Sequence, residues 1–435
     1  MGKIFIVLVA LCAACGLLLL GSCGGGDGGG TSILMVSVDP AGLEGNEYST
    51  GAVISGDGRY VAFRSAASNL IENDANGVLD IFVRDIQMGL TSRVSVSTAG
   101  TEADSNSYNP SISFDGRYVG FASAASNLVA DDPDLLDVFV HEMETGITAK
   151  VTVSPAGSAG DAGGGGPALN SDGMYVAFRS GSSNLVDDDN NGVRDIFVRD
   201  MDSAITARVS VSTAGTEGDG DCWYPAISAD GQHVAFYSSS TNLVSDDTNS
   251  VDDVFLRDVQ GAITSRVSVS TAGTEGDAGS YNPAISSDGL YLAFASEATN
   301  LVPDDTNGSL DVFVRDLQGG ITSRVSVSTA GIEGDAGSYS PAISSDGRYV
   351  VFASQATNLV PDDINGFIDI FVRDLQEGTT SRVSVSAEGV EADGNSDVPA
   401  ISPDGRYVTF YSEATNLLDG TITSGTSQIY RVRWR

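Results

Sequence analysis

The sequence is poor in residues that commonly carry catalysis or bind metals through nitrogen and sulfur. It contains 2 histidines, 2 tryptophans and 4 cysteines in 435 residues. His141 and His233 each replace another residue of an internal repeat, so they do not form a cluster of the kind that binds zinc. The Gly-x-Ser-x-Gly turn that presents a nucleophilic serine in many hydrolases is absent as well. We therefore expect a protein without a catalytic site.

Basic residues are also scarce. The chain carries 22 Lys and Arg against 58 Asp and Glu, a formal net charge of −36. Binding to nucleic acid or to an anionic lipid surface needs a basic patch. The composition therefore predicts no nucleic-acid partner. Beyond the first 22 residues only Cys23 and Cys222 remain, so a modified Cys23 would leave no intrachain disulfide.

The beginning of the chain is typical of a bacterial lipoprotein signal. Lys3 precedes an apolar run, and Leu20-Gly21-Ser22-Cys23 resembles the site at which the cysteine is lipidated after cleavage. A simple membrane anchor or a secretory signal cut elsewhere are the alternatives. Because no Asp follows Cys23, the resemblance favours the outer membrane, with membrane contact only through the lipid. The expected organisation is a signal peptide at 1–22, a Gly-rich tether at 23–30 and a repeat domain at 31–435.

A unit of about 58 residues is repeated seven times, and a period of this kind indicates an array or a ring of similar units. Each copy contains an Asp-Gly pair that is typical of a tight hairpin turn. The pairs begin at Asp57, Asp115, Asp172, Asp230, Asp288, Asp346 and Asp404. Every unit is predicted to form four short strands. In the fifth copy these are expected at 283–286, 291–296, 311–316 and 323–328.

The two ends of the chain predict a closed ring. The last copy lacks a fourth strand, whereas Ile33 to Val38, followed by Ala41-Gly42, aligns with the fourth strand of the first copy. We therefore predict an all-β fold, a seven-bladed β-propeller of four-stranded antiparallel blades in which the N-terminal strand pairs with the last blade. An acid at the end of the third strand and a base eight residues later, such as Asp85 and Arg93, suggest a cross-strand pair.

The run Pro-Ala-Ile-Ser-Ser-Asp-Gly-Arg-Tyr-Val-Val-Phe at 341–352 resembles the WD40-like PD40 repeat of TolB-type β-propellers. The resemblance extends over 31–435 and implies the propeller fold. It says less about activity, because propellers of this type include scaffolds, accessory domains of peptidases and a few lyases. The lyases and peptidases depend on a His-rich metal site or an appended hydrolase domain, and this sequence has neither.

Acidic residues recur in the loop between the second and third strands. Clustered carboxylates and an Asn around a Gly turn are oxygen ligands of the kind that Ca²⁺ takes. The alternative is a structural turn in which the acid and amide side chains bind backbone N–H groups. The candidate metal ligands are Asp74, Asn76, Asp80, Asp189, Asn191, Asp195, Asp247, Asn249, Asp253, Asp305, Asn307, Asp311, Asp363, Asn365 and Asp369.

A second candidate surface lies where the chain enters the innermost strand. Tyr108, Trp223, Tyr281 and Tyr339 occupy the same slot in their copies, beside Asp104, Asp219, Asp277 and Asp335. Such rings can stack on sugars or grip a cationic peptide, or they can simply pack on the next blade.

Together these features predict a non-catalytic, lipid-anchored, monomeric propeller of the cell envelope. The side of the ring that carries the acidic loops would bind an envelope protein or an exported polymer. A calcium-dependent carbohydrate-binding module is the alternative, and a polysaccharide-acting hydrolase or lyase that uses acidic residues alone is a third interpretation.

Overall fold

The structure, a computed structural model of the chain, describes residues 32–130, 132, 135–419 and 425–435. Within these ranges the regular structure consists of 28 β-strands, and no helix long and apolar enough to cross a membrane is found among them. The signal peptide, the tether and Cys23 predicted from the sequence lie outside the described residues.

The strands form seven sheets of four strands each, which we number as blades in chain order. Blade 1 consists of β2 (Ser49–Ile54), β3 (Tyr60–Ser65), β4 (Asp80–Asp85) and β5 (Leu90–Arg93). Blade 2 consists of β6 (Ser107–Ile112), β7 (Tyr118–Ser123), β8 (Asp137–Glu142) and β9 (Ile147–Lys150). Blade 3 consists of β10 (Gly164–Leu169), β11 (Tyr175–Ser180), β12 (Asp195–Asp200) and β13 (Ile205–Arg208). Blade 4 consists of β14 (Cys222–Ile227), β15 (His233–Ser238), β16 (Asp253–Asp258) and β17 (Ile263–Arg266).

The remaining blades follow the same plan. Blade 5 consists of β18 (Ser280–Ile285), β19 (Tyr291–Ser296), β20 (Asp311–Asp316) and β21 (Ile321–Arg324). Blade 6 consists of β22 (Ser338–Ile343), β23 (Tyr349–Ser354), β24 (Asp369–Asp374) and β25 (Thr379–Arg382). Blade 7 consists of β26 (Ser396–Ile401), β27 (Tyr407–Ser412), β28 (Gln428–Arg433) and, from the other end of the chain, β1 (Ser32–Met35).

The N-terminal strand completes the last blade. β1 pairs antiparallel with β28, and Met35 lies opposite Tyr430 in the register. The predicted seven-bladed propeller and its closure by the first strand are both confirmed. Because the two ends of the chain share one sheet, no blade is left incomplete.

The Asp-Gly turns hold neighbouring blades together. At Gly347 the backbone has φ of 69°, and a Cβ atom there would lie 2.1 Å from the ring of Tyr291 in the preceding blade. Asp346 fixes the turn by accepting hydrogen bonds from the Ser344 hydroxyl at 2.6 Å and the Arg348 N–H at 3.1 Å. Only glycine meets both requirements, left-handed backbone and contact with a ring, which explains why the pair recurs in every copy.

Buried aromatic rings fill the blades. The rings of Phe352 and Phe371 lie 5.8 Å apart in blade 6, and both side chains are fully buried. They pack against Val312 and Val314 of blade 5. Fully burying one such side chain stabilises the fold by about 1.5–3 kcal/mol, so the contacts between blades, which recur around the ring, form the core.

The predicted cross-strand charge pair is wrong in its register. Arg93 lies opposite Phe82, and Asp85 lies opposite Leu90. Asp85 instead binds Arg59, the residue after the Asp-Gly turn, with 2.7 Å between Arg59 Nη2 and Asp85 Oδ2. The turn between β4 and β5 takes up fewer residues than a pairing of Asp85 with Arg93 would require, so Arg93 lies towards the opposite end of β4, 3.1 Å from Asp80.

Candidate functional site

The acidic loops converge on an arginine in each of five blades. In blade 5 the Nη1 atom of Arg324 lies 3.4 Å from Asp305, 3.1 Å from Asp311 and 2.5 Å from Glu333. Asp311 begins β20, Asp305 lies in the preceding loop, and Glu333 comes from the connection to the next blade. We call such a group an arginine-centred cluster. Those of blades 1, 3, 4 and 6 are built on Arg93, Arg208, Arg266 and Arg382.

Blades 2 and 7 have other residues at the positions of the arginine-centred cluster. Blade 2 has a lysine instead, with Lys150 Nζ at 2.7 Å from Asp132 and 2.6 Å from Asp137. In blade 7 the acid of the third strand is replaced by Gln428 and the base of the fourth by Met35, so both charges are lost at once. The Ser37 hydroxyl donates to Gln428 Oε1 at 2.6 Å. The role of the arginine was not predicted from the sequence, although the joint loss of acid and base in blade 7 is visible there.

In blade 5 the side-chain atoms proposed as calcium ligands already have partners. Asn307 Nδ2 donates to Asp311 at 3.1 Å and to the Gly334 carbonyl at 2.9 Å, while Asn307 Oδ1 accepts the Ser309 N–H at 2.7 Å. The guanidinium supplies the positive charge that Ca²⁺ would supply, at the point where the carboxylates meet. Ca²⁺ would have to displace the guanidinium to take this position, so the arginine and the metal ion are alternatives at this point. The calcium assignment stays a prediction.

The clusters shift the pKa values of their acids in opposite directions. Burial raises the pKa of Asp189, Asp305 and Asp363 to about 6, with the nearby arginine acting against this change. Burial also raises the pKa of Asp311. For Glu333 burial is outweighed by hydrogen bonds from Thr306, and its pKa falls to about 2. The clusters are therefore structural networks in which several acids share one base.

A second set of acids remains exposed on the same face. Asp188, Asp246, Asp304 and Asp362 precede the inner acids of their loops and point to solvent. In the connections between blades, exposed Asp277 accepts hydrogen bonds from the Thr299 N–H and hydroxyl at 2.7 and 2.9 Å. These carboxylates lie at the surface. We call this acidic side of the ring the loop face.

The inner strands line a tapered central channel. Each inner strand has a register shift halfway along, and before each proline there the backbone is left-handed, as at Tyr224 and Val398 with φ of 45° and 50°. The channel holds a cavity of about 630 Å³ at the loop face, where these residues lie. At the opposite end, near Ile54 and Phe114, the cavity is about 110 Å³. A further cavity of about 370 Å³ lies between these two, among the prolines and isoleucines of the inner strands. The cavity volume therefore falls from the loop face to the opposite end of the channel.

The predicted aromatic residues lie beside this mouth and are half-buried. The Tyr281 ring packs edge-on against Tyr237 of blade 4, with ring centres 5.6 Å apart. The Tyr339 hydroxyl donates to Asp397 of blade 7 at 3.5 Å, and Trp223 contacts Arg179 of blade 3. These rings therefore bridge neighbouring blades. Tyr108 occupies the same position in blade 2, and ligand binding by the four residues stays a prediction.

The histidines and the buried cysteine show no catalytic arrangement. His141 is buried in blade 2, where its Nδ1 lies 2.9 Å from the Thr148 hydroxyl and burial lowers its pKa. His233 lies in blade 4 against Gly289. Cys222 occupies a slot that holds serine in five of the other six blades. It lies 3.3 Å from the Ser238 hydroxyl, and burial raises its pKa to about 12. No nucleophile and base stand together in these positions.

Comparison with known proteins identifies the fold. No protein-family model matches the chain, and no curated protein matches its sequence. Among solved structures, oligogalacturonate lyase in complex with manganese matches with a TM-score of 0.53 and 13% identity, over 89% of each chain. The β-propeller domain of the Trilobed protease from Pyrococcus furiosus matches with a TM-score of 0.53 and 10% identity, over 88% of this chain and 95% of the other.

Both matches show the propeller fold, and that fold occurs in enzymes and in non-enzymes. TolB from Acinetobacter baumannii is a more distant match, with a TM-score of 0.42 and 15% identity over 82% of this chain. The chain spans 63% of the length of that TolB. The propeller fold that the TolB-type resemblance implied is shown by the two matches with a TM-score of 0.53.

Proposed function

We propose that the protein is a non-catalytic binding module of the cell envelope, tethered through a lipid on Cys23. Its partner, a basic segment of an envelope protein or of an exported polymer, docks on the loop face at the mouth of the channel. The observation that carries this proposal is the asymmetry of the channel, with about 630 Å³ at the loop face against about 110 Å³ at the other end.

Charge and exposure favour the same surface. Within each arginine-centred cluster one base partly offsets several acids, whereas the outer acids of the same loops are exposed. Asp246 keeps 75% of its side chain exposed although it lies 3.7 Å from Arg266. The Tyr224 ring stands 53% exposed at the mouth, stacked on Tyr237 with 6.0 Å between ring centres. An exposed ring on a face that also carries exposed carboxylates suits a basic partner, because apolar contact and charge attraction act together there.

Site-directed photo-crosslinking in living cells tests the docking surface. A benzophenone amino acid replaces Tyr224 at the mouth or, as the matched control, Leu290 on the opposite face, which is 40% exposed. We expect adducts from position 224 that weaken when Asp188, Asp246, Asp304 and Asp362 are changed to asparagine. Adducts from position 290 alone would contradict the proposal.

The lipid tether is tested separately. A Cys23→Ser variant should no longer incorporate radioactive palmitate and should leave the membrane fraction, because one acylated cysteine carries the attachment. Unchanged fractionation of Cys23→Ser would refute the tether and leave the docking surface untouched.

A further inference from the structure

Blade 3 interrupts the pattern of aromatic residues around the channel mouth. Where blades 2, 4, 5 and 6 have tyrosine or tryptophan, blade 3 has Gly165, within the run Gly163–Gly166. The residue opposite Gly165 on the next strand is Arg179, whereas alanine lies opposite Tyr281. A missing ring and an added cation coincide beside a cavity of about 510 Å³, whose lining includes Gly163, Gly164, Arg179, Arg194 and Asp221. We call it the blade-3 pocket.

Two arginines and one acid define the charge of the pocket. The Arg179 and Arg194 guanidinium carbons lie 4.3 and 5.1 Å from the centre of the Trp223 ring. Arg194 Nη1 lies 3.4 Å from Asp221. In the described part of the chain Arg179 has neither a hydrogen-bond acceptor nor an ion-pair partner. The pocket therefore has an excess of positive charge in a protein whose net charge is −36.

The surroundings of Arg179 oppose its charge. Burial lowers its pKa, and the positive charge of Arg194 lowers it further. A carboxylate bound to the guanidinium by two parallel hydrogen bonds would remove both penalties. Trp223 holds the planar group by a cation–π contact and so limits the freedom that binding would cost.

We propose that the blade-3 pocket binds a small hydroxylated carboxylate of the size of a sugar acid, with Arg179 as the carboxylate receptor. The cavity volume lies within the range of small-ligand sites. Asp221 accepts hydrogen bonds from hydroxyl groups and repels a second negative charge, which disfavours phosphate. This inference is independent of the proposed function, because it concerns a different ligand at a site of opposite charge.

A fluorescence titration tests binding. The chain has 2 tryptophans, so Trp434→Phe leaves Trp223 as the sole reporter in the full-length protein. D-glucuronate should change its emission saturably, and more weakly at high salt, because the contact is electrostatic. D-glucose, with a hydroxymethyl group in place of the carboxylate, and inorganic phosphate should give no saturable change. Calorimetry with the unaltered protein should likewise detect binding of D-glucuronate and none of D-glucose or inorganic phosphate.

Two variants locate the site. Gly165→Tyr introduces the residue found at this position in blades 2, 5 and 6, and its Cβ would come no closer than 3.7 Å to a neighbour, so the fold should persist while the pocket is filled. Arg179→Gln should weaken binding of glucuronate by about tenfold or more. Arg64→Gln, the equivalent arginine of blade 1 opposite Thr50, should leave the affinity unchanged.

Several results would overturn the inference. One is equal affinity for glucose and glucuronate. Another is an unchanged affinity for glucuronate in Gly165→Tyr or Arg179→Gln, and a third is the absence of detectable glucuronate binding in every assay. Binding of N-acetylglycine without binding of glucuronate would assign the pocket to a peptide carboxyl terminus and refute the sugar acid. Circular dichroism confirms folding of each variant, and if Gly165→Tyr does not fold, Arg179→Gln decides.

Discussion

Replacing Arg324 with methionine tests whether the arginine-centred clusters stabilise the ring. In the described residues Arg324 is the base within ion-pair distance of Asp305, Asp311 and Glu333. The Asp311 side chain is fully buried and the Arg324 side chain is 9% exposed. Removing one partner of a buried pair leaves a charge without compensation, which costs about 3–5 kcal/mol. We expect Arg324→Met to lower the free energy of unfolding by an amount in that range.

Blade 7 suggests a second substitution that should restore part of the stability lost in Arg324→Met. There Met35 and Gln428 occupy the places of Arg324 and Asp311, and Gln428 Nε2 donates to the Gly45 carbonyl at 3.0 Å. The double variant Arg324→Met/Asp311→Gln removes the base and the buried charge together. Relative to the sum of the single variants, it should recover about 2 kcal/mol, because contacting residues couple by up to about 3 kcal/mol.

Urea unfolding followed by circular dichroism measures the double-mutant cycle, with an unchanged slope showing that the same structure unfolds. Arg324→Lys serves as the control, since Lys150 fills the slot in blade 2, and it should cost less than Arg324→Met. The reasoning would be refuted if the effects of the single variants on the free energy of unfolding simply added in the double variant. It would also be refuted if Arg324→Met lowered that free energy by less than about 0.5 kcal/mol.

Three further predictions follow from burial and backbone geometry. The pKa of Asp305 is raised to about 6, so the folded state binds its proton more tightly than the unfolded state, and stability should rise as the pH falls from 7 to about 5. The melting temperature should show this rise in the wild type, less of it in Asp305→Asn and all of it in Asp304→Asn; a flat profile would contradict it. Cys222 should resist thiol reagents in the native protein and react once it unfolds, because it is buried with its pKa raised to about 12; rapid native labelling would argue against this burial. Val398 has φ of 50° where Asn282 has 51°, so Val398→Asn should raise the free energy of unfolding by about 0.5–1 kcal/mol, since asparagine tolerates this conformation better than a β-branched residue; a loss of stability in urea would count against the strain.

The ring could be predicted from the sequence because the repeat counts the blades and the offset of the chain ends shows where they join. The Asp-Gly turn and the tyrosine that packs on it recur in nearly every copy, so one copy suffices to interpret the others. The closure needed only the alignment of Ile33 to Val38 with a later strand.

The arginine-centred clusters could not be predicted in the same way. Asp305 and Arg324 are separated by a loop, a strand and a hairpin, and Glu333 comes from the connection to the next blade. Only the register of β20 and β21, which places Phe313 opposite Arg324, brings the base to these acids. Without that register the acids resembled ligands for a metal ion.

Some features of the blade-3 pocket can be recognised in the sequence. The glycine run at 163–166 is plain in the sequence, and Arg179 is one of few arginines at its strand position. Their meeting across two strands depends on the register shift within β10, which leaves Gly165 opposite Arg179. A pattern read along one strand does not reveal this pairing.

Calcium titration tests most directly the claim that arginine, and not a metal ion, binds the inner acids of the arginine-centred clusters. The wild-type protein should have the same melting temperature in EDTA and in excess Ca²⁺, and calorimetry should show no stoichiometric binding. In Arg324→Met, where Asp305, Asp311 and Glu333 converge without their base, Ca²⁺ should raise the melting temperature, because binding to the folded state stabilises it. Stoichiometric Ca²⁺ binding to the wild type, with loss of stability in EDTA, would contradict the account.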